Sequence, residues 1–355
     1  MRGMAVSTLR LFVDPKDPER TQAAIGEAAA ILRRGGTVAF PTETVYGLGA
    51  NALDPAAVAA IFEAKQRPAW DPLIVHLPDA SGLDGLVTAV PEPARRWMER
   101  FWPGPLTLLL EKHAQVPDAV TAGRSRVGVR VPRHPVAQAL LRAAGIPVAA
   151  PSANVFGHVS PTTAAHVLAD LDGRIDAILD GGPCEHGVES TVVDAAADPC
   201  VLYRPGAVSL EQLAAVWPRV EAYQEVPSTK TQSPASLPSP GVGIRHYAPR
   251  AQVVLIEYGA RQPERLLQAF DEASRSGRVG VLLPEGLLPS FSPPPDAEMF
   301  AWGRWGEPES MANGLFAGLR SLDAAGVETI LCPVPAPEGI GRAIGDRLHK
   351  AARAS

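Results

Sequence analysis

The most constraining feature of this sequence is a series of short apolar runs that stop at proline, glycine or a polar cluster. The runs at 37–40, 73–77 and 146–150 are too short for helices and are typical of buried strands. Stretches with helical periodicity, such as 18–34 and 136–144, alternate with them and end at glycine. This alternation predicts an α/β protein, and 355 residues are enough for two domains with a sizeable core.

The stretch 35–68 combines a predicted strand with a high density of chemistry-bearing residues. Two threonines, a glutamate and a tyrosine follow the strand. Gly47 and Gly49 come next, where glycine permits a tight backbone path or a close ligand approach. A predicted helix then leads to two cations, Lys65 and Arg67. These features fit a binding site for a small anion, but they fit a polar turn equally well, and the stretch alone leaves both interpretations open.

Other predicted strands also end in hydroxyl, amide or guanidinium side chains. Residues of this kind are Thr42, Thr44, Arg130, Ser152, Asn154, Ser190, Thr191 and Arg204. Ligand sites of open α/β sheets form at strand ends, and arginine forks and hydroxyls suit phosphates and carboxylates. A helix N-cap or a solvated arginine would explain each residue singly, whereas the repetition favours one shared site.

Composition excludes several classes of protein. The formal net charge of −5 counts against a protein whose main role is binding a nucleic-acid backbone. The three cysteines have no paired spacing, so we expect neither a disulfide framework nor a zinc site, and a reducing cytoplasm fits. The sequence contains no apolar run of about 18 residues, so we expect no membrane span. It also lacks the Gly-x-Ser-x-Gly motif of a serine hydrolase.

A change of composition marks the predicted domain boundary. Between 227 and 240, eight of fourteen residues are proline or serine, which is typical of a linker. We therefore predict domains at 1–222 and 251–355, joined by a linker at 223–250. The second domain alternates strands with helices, which predicts a small doubly wound, Rossmann-like unit, but it has no dinucleotide-binding fingerprint.

Taken together, the motifs of the first domain resemble those of the YrdC-like family. The matching segments are 41–49, 65–68, 102–107, 129–132, 150–154, 160–162, 189–191 and 201–206. The segment 239–249 and the second domain are similar to the two-domain form of that family. This resemblance implies a twisted, open, mixed sheet in the first domain.

The resemblance also implies a nucleotidyltransferase reaction. Members of the two-domain form condense L-threonine, bicarbonate and ATP into threonylcarbamoyl-adenylate, with release of pyrophosphate. This product is the intermediate for N6-threonylcarbamoyladenosine in tRNA, and a tRNA threonylcarbamoyl-transferase machinery receives it. The triphosphate would bring Mg²⁺, so neither a permanently bound cofactor nor a metal site in the protein is expected. Direct tRNA binding stays open.

Residue roles follow from the same resemblance. It implies that Lys65 and Arg67 are catalytic. It places Arg67, Asp71, Arg126, Ser152, Ser160, Arg204, Pro240, His246 and Tyr247 at ATP. It places Thr44, His76, Arg130, Ala150 and Ser190 at threonine. Asp71 and Arg126 stand where Asn and Thr are common in the family, and Pro240, His246 and Tyr247 would belong to a lid formed by the linker.

Two further functions and one residue remain to be weighed. A YrdC-like domain without turnover would be a double-stranded RNA-binding module, against which the net charge counts. A carbamoyl-transfer maturation protein shares the same core, but this sequence lacks the cysteine pairs of its zinc-finger segments. Glu43 has no implied role, and we expect it to form a structural hydrogen bond to nearby backbone.

Overall fold

The computed structural model describes residues 7–224, 237, 239, 246–288, 294 and 297–353. These residues divide into two compact units, of which the first contains most of the chain up to residue 239. The second unit contains residues 246 onwards together with two short segments, 157–160 and 185–188. The predicted linear division at 222 and 250 stays a prediction. No feature of the sequence indicated that 157–160 and 185–188 would belong to the second unit.

The first unit alternates strands with helices. Its helices are α1 (Pro18–Arg33), α2 (Pro55–Lys65), α3 (Glu92–Phe101), α4 (Asp118–Thr121), α5 (Pro135–Ala144), α6 (Ala164–Leu171) and α7 (Leu210–Val216). Its strands are β1 (Leu9–Phe12), β2 (Val38–Phe40), β3 (Gly47–Asn51), β4 (Ile74–His76), β5 (Leu106–Glu111), β6 (Arg126–Arg130), β7 (Val148–Ala149), β8 (Ala177–Asp180), β9 (Thr191–Asp194), β10 (Cys200–Arg204) and β11 (Val220–Ala222).

Within the described residues these eleven strands form one mixed sheet in the order β1-β8-β2-β3-β7-β4-β6-β5-β9-β10-β11. Alternate residues of β2 enter two different cores: Val38 and Phe40 pack with α1 and α5, whereas Ala39 packs on the opposite face. Further along the sheet, from β4 to β9, the face opposite the larger core carries a small apolar cluster of Ile74, Leu109 and Val192, against which Tyr203 packs. The predicted mixed α/β fold is confirmed.

Local signals explain where the helices begin and end. Helix α2 starts at Pro55 because the carboxylate of Asp54 accepts hydrogen bonds from the first backbone N–H groups of the helix. It ends at Lys65, where Gln66 adopts a left-handed conformation with φ of 53° and turns the chain out of the helix. This turn directs Arg67 back over the strand ends instead of along the helix axis.

The structure corrects one of the local interpretations. Gly47 and Gly49 were interpreted as permitting a tight backbone path or a close ligand approach after the predicted strand, but both lie in β3, which pairs with β2. A Cβ atom on Gly49 would lie 2.8 Å from Phe40 Cε1 and 2.8 Å from Val148 Cγ1, so the glycine is required by close packing.

The second unit is a small parallel α/β structure. Its strands are β12 (Gln252–Ile256), β13 (Val279–Glu285), β14 (Glu298–Arg304) and β15 (Thr329–Pro333), in the order β12-β15-β13-β14. Its helices are α8 (Gln262–Ala273), α9 (Pro308–Ala324) and α10 (Gly341–Ala352). The described strands pair in parallel, as the alternating pattern predicted. In the described ranges of the chain, no helix has the length and hydropathy needed to cross a membrane.

Candidate active site

A row of five residues, four of them polar, runs across five adjacent strands of the large sheet near the strand ends. His76 on β4 is the register partner of Arg130 on β6, and Leu108 opposite Val129 puts Thr107 of β5 opposite Arg130. Thr107 in turn pairs with Val192 of β9, which pairs with Arg204 of β10. Directly opposed residues point to the same face of a sheet, so this cross-strand row spans about 19 Å over five strands.

Arg130 lies at the centre of a buried cluster at one end of the cross-strand row. Its Nη1 donates to the hydroxyl of Thr44 at 3.0 Å, and its Nε donates to the carbonyl of Gly104 at 3.2 Å. Its Nη2 lies 2.7 Å from Oε1 of Glu43, an ion-pair distance, although the two atoms are not aligned for a hydrogen bond. Three groups, Thr44, the carbonyl of Gly104 and Glu43, therefore hold the Arg130 guanidinium in one orientation.

Glu43 is a site residue that the sequence interpretation missed. Its Oε2 accepts a hydrogen bond from the backbone N–H of Arg133 at 3.0 Å, as the expected structural role requires. The partner that was not foreseen is Arg130. Burial alone would raise the pKa of the Glu43 carboxyl, but the guanidinium of Arg130 and the hydrogen bonds from the backbone of Glu43 and Arg133 together hold that pKa below its usual range. An acid in so buried a stretch requires a cation, and that requirement was the available signal.

His76 stands next to Arg130 and is neutral in the folded protein. Its Nδ1 lies 3.3 Å from the carbonyl of Ile74, and its ring meets that of Phe40 edge to face at 6.3 Å. Burial first, and then the positive charge of Arg130, lower the pKa of His76 to about 3. The imidazole can therefore offer a hydrogen bond at neutral pH, but not a positive charge.

A second cluster forms at the β9 and β10 end of the cross-strand row. Arg204 donates from Nε to the carbonyl of Ser190 at 3.0 Å and from Nη2 to its hydroxyl at 3.0 Å. The hydroxyls of Ser190 and Thr107 are 2.8 Å apart. Thr107 had not been assigned a role from the sequence, although it is the last residue of the matching segment 102–107. Both hydroxyls and the guanidinium are buried.

Arg67 and Asp71 form a buried ion pair beside this cluster. The Nη2 of Arg67 lies 2.9 Å from Oδ2 of Asp71, and the exposed fractions of the two side chains are 4% and 0%. The same guanidinium donates to the carbonyls of Asp71 at 3.1 Å and Pro72 at 2.8 Å. Burial raises the pKa of Asp71, against the opposing pull of Arg67, Lys65 and Arg204. All three proposed triphosphate cations thus act electrostatically on one carboxyl.

Lys65 is buried and faces a loop rather than open space. Its ammonium donates to the carbonyls of Ser152 at 2.6 Å and Asn154 at 2.5 Å, and its own carbonyl accepts from the N–H of Phe156 at 2.8 Å. Burial, reinforced by Arg67, lowers the pKa of Lys65 well below its usual range. Ala150 precedes this loop and donates its N–H to the carbonyl of Ile74 at 2.9 Å. Lys65 thereby holds the loop that carries Ser152.

Arg126 lies at the opposite end of β6 from Arg130. The two arginines share a face because side chains alternate along a strand, and four residues separate them by about 13 Å. Arg126 is paired with Glu111 on β5 and, at 3.4 Å between Nε and Oδ1, with Asp194 on β9. It does not join either buried cluster, and its assignment to ATP stays a prediction.

Three other predicted site residues belong to the second unit, and one lies outside the described residues. Ser160, His246 and Tyr247 are buried in the second unit. There the ring of Tyr247 stacks on Phe316 at 5.5 Å, and the guanidinium of Arg347 lies 5.4 Å from its centroid. Pro240 is outside the described residues. The ATP and lid roles of these four residues stay predictions.

The chemistry of the described clusters is that of binding and charge neutralisation. The hydroxyls of Thr44 and Ser190 are not bonded to a histidine: Thr44 contacts Thr42 and Arg130, and Ser190 contacts Thr107 and Arg204. A serine or threonine nucleophile needs an adjacent base. Among the residues that the structure describes, no group of three or more His, Cys, Asp or Glu could hold a metal ion. The expectation that Mg²⁺ arrives with the triphosphate stays a prediction.

Comparisons with known proteins agree with this architecture. Residues 30–206 match the Sua5/YciO/YrdC family model, described as "Telomere recombination", and residues 208–353 match the "Threonylcarbamoyl-AMP synthase, C-terminal domain". The chain is 45% identical to the threonylcarbamoyl-AMP synthase of Bacillus subtilis over 98% of both chains. It is 44% identical to that of Pyrococcus abyssi, over 91% of this chain and 92% of the relative.

Solved structures give the same answer. The crystal structure of P. abyssi Sua5 complexed with L-threonine superimposes with a TM-score of 0.86 at 41% identity. The match covers 97% of this chain and 98% of that one. Since both domain models match in order and full-length relatives exceed 40% identity, the chain belongs to the threonylcarbamoyl-AMP synthase family, in its two-domain form.

Proposed function

We propose that this protein is an L-threonylcarbamoyladenylate synthase, which condenses L-threonine, bicarbonate and ATP. The amine of threonine and bicarbonate form a carbamate and water. A carbamate oxygen then attacks the α-phosphorus of ATP, the bond between the α- and β-phosphates breaks, and pyrophosphate leaves. Such a transfer depends on positioning and charge neutralisation more than on a covalent nucleophile.

The observation that carries this proposal is the cross-strand row with a buried arginine cluster at each end. Arg204, together with Arg67, supplies two guanidinium groups suited to the triphosphate. Lys65 adds to the local potential while it holds the loop of Ser152. At the other end, Arg130 and Thr44 present a fork and a hydroxyl suited to the carboxylate of threonine, close to neutral His76. Ala150 and Ser190 would complete the amino-acid pocket.

The remaining roles belong to the same proposal. Mg²⁺ would be held largely by the triphosphate, where it would neutralise charge. The product would pass to a tRNA threonylcarbamoyl-transferase machinery. The cytoplasm suits the described cysteines Cys184, Cys200 and Cys332, which are buried free thiols. No feature of the two clusters favours the alternative of an RNA-binding module without turnover.

The experiment is a substrate-omission series on the purified protein, with pyrophosphate release as the readout. We expect release only when ATP, L-threonine and bicarbonate are all present. A reaction with L-valine, which replaces the hydroxyl of threonine by a methyl group, serves as the matched control for the amino-acid pocket. Pyrophosphate release at an equal rate without threonine, or none with all three substrates, would refute the assignment.

A further inference from the structure

Asp71 is a buried acid among cations at a site proposed to bind an anion. A carboxylate there would repel phosphate if it served only as part of the binding surface. Its side chain has no exposed area, and both carboxyl oxygens are inaccessible to solvent. A nucleotide therefore cannot contact the Asp71 carboxyl without a rearrangement of the surrounding side chains. The carboxyl instead faces inward, toward Arg67.

The geometry around Arg67 shows what the carboxyl holds. Helix α2 ends at Lys65, and Asp71 donates its N–H to the carbonyl of Pro68 at 3.2 Å, so the chain turns back on itself. This turn brings the side chain of Asp71 and the carbonyls of Asp71 and Pro72 to one edge of the guanidinium. The Nε and Nη2 edge is thereby committed to these three oxygens. The ring of Phe156 adds a cation–π contact at 5.9 Å.

We propose that Asp71 is a positioning residue that fixes the orientation of the Arg67 guanidinium at the triphosphate site. The inference rests on the proposed function, because Arg67 acts on the triphosphate there. Asp71 acts through Arg67 and does not touch the nucleotide. The charged groups that face Asp71 are Arg67 and Lys65 from the end of α2 and Arg204 from β10. Their combined positive charge exceeds the negative charge of the Asp71 carboxylate, so the site still attracts a polyanion.

The first test compares Asp71→Leu and Asp71→Asn with the wild type in the pyrophosphate assay. Leucine removes every acceptor, and we expect kcat to fall by about 100-fold, as for a misplaced catalytic group. Asparagine keeps an acceptor oxygen in the same place and restores part of the loss. An altered preference between ATP and GTP, which a displaced triphosphate contact does not produce, would overturn the proposal in favour of direct nucleotide contact.

The second test uses pH. Burial raises the pKa of Asp71, so the carboxylate and its ion pair are present at high pH and are lost as the pH falls through that value. The ratio of wild-type kcat to that of Asp71→Asn should therefore be largest at high pH and approach one on acidification. Both proteins are measured at each pH with saturating bicarbonate, so the pH dependence of the carbonate equilibrium does not affect the ratio of their kcat values. A ratio that does not change with pH contradicts the proposal.

The third test asks whether Asp71 acts through Arg67. In an Arg67→Gln background the ion pair is already broken, so Asp71→Asn should lower neither kcat nor the urea-denaturation midpoint further. The denaturation arm needs no turnover, so it separates a failure of this inference from a failure of the proposed function. The matched control is Glu92→Gln, which breaks the Arg96–Glu92 pair of the same spacing and the same 2.9 Å length, but more than half exposed. Additive effects of the two site changes would overturn the inference.

Discussion

At the scale of single residues, the site is organised by acids that hold its arginines. Glu43 fixes one edge of Arg130, and Asp71 fixes one edge of Arg67. Both acids are buried, and a buried charge without a partner is strongly destabilising. Each arginine therefore has a defined orientation in the protein before substrate binds, which lowers the ordering cost of ligand binding.

Replacing Glu43 by Gln tests this arrangement through stability. We expect a loss of about 3 kcal/mol in the free energy of unfolding at pH 7, because Arg130 would remain buried without its counter-ion. The folded-state pKa of Glu43 lies below the ordinary value of about 4.3. Its contribution is thus present above that value and is lost as the pH falls through the folded-state pKa. The difference between the two proteins in urea denaturation should be constant from pH 7 to about pH 4.3 and should shrink as the pH falls further. A difference that stays constant below about pH 4.3 would contradict this arrangement.

His76 predicts a pH dependence of its own. The pKa is about 3 in the folded protein and about 6.5 in the unfolded chain. Between these values only the unfolded chain binds the proton, so wild-type stability should fall by about 1.4 kcal/mol per pH unit below pH 6.5. The His76→Gln variant lacks this contribution. Parallel stability curves of the two proteins between pH 6.5 and pH 4.5 would show that His76 is not buried as a neutral group.

At the scale of elements, the hairpin of β2 and β3 positions the Thr44 end of the site. The two strands pair from Val38–Gly49 to Phe40–Gly47, so the connecting residues carry Glu43 and Thr44 to the edge of the sheet. The hairpin packs tightly because Gly49 has no side chain where Phe40 and Val148 approach. Bulk at this position would separate the strands that set the position of Thr44.

Two glycine-to-alanine changes test this packing against helix propensity. Gly49→Ala should cost about 1–3 kcal/mol because its Cβ enters a filled space. Gly26→Ala in α1 is the matched control, since a Cβ there meets nothing within 4 Å. Alanine in a helix should stabilise the protein by about 1 kcal/mol. Urea-denaturation midpoints should therefore move in opposite directions, and a shift of both in the same direction would contradict the packing argument.

The elements also show how far the sequence alone can predict this structure. The helices predicted over 18–34 and 136–144 are found as α1 and α5 within a residue of those bounds, because capping residues such as Asp17 and Gly145 act locally. Strand β3 was missed, since its two glycines have no strand propensity and its pairing is set by distant neighbours. The same distinction applies to the site: strand-end polar residues were predictable, whereas the Glu43–Arg130 pair joins residues 87 positions apart.

At the scale of the whole molecule, an acidic protein contains a locally cationic site. The net charge of −5 disfavours a protein whose main role is nucleic-acid binding, but it says nothing about local charge. Lys65, Arg67 and Arg204 surround a single carboxyl in the first unit. The sequence contained all three residues, but only the mixed sheet shows that the end of α2 and the end of β10 act on the same carboxyl.

A crystal structure with threonylcarbamoyl-AMP bound tests most directly whether both substrates bind along the cross-strand row. We predict the phosphate within hydrogen-bond distance of the guanidinium groups of Arg67 or Arg204, and the threonyl carboxylate at Arg130 and Thr44. Asp71 should remain paired with Arg67 and make no contact with the nucleotide. A ligand bound elsewhere, with the cross-strand row unchanged and without ligand contacts, would contradict the account.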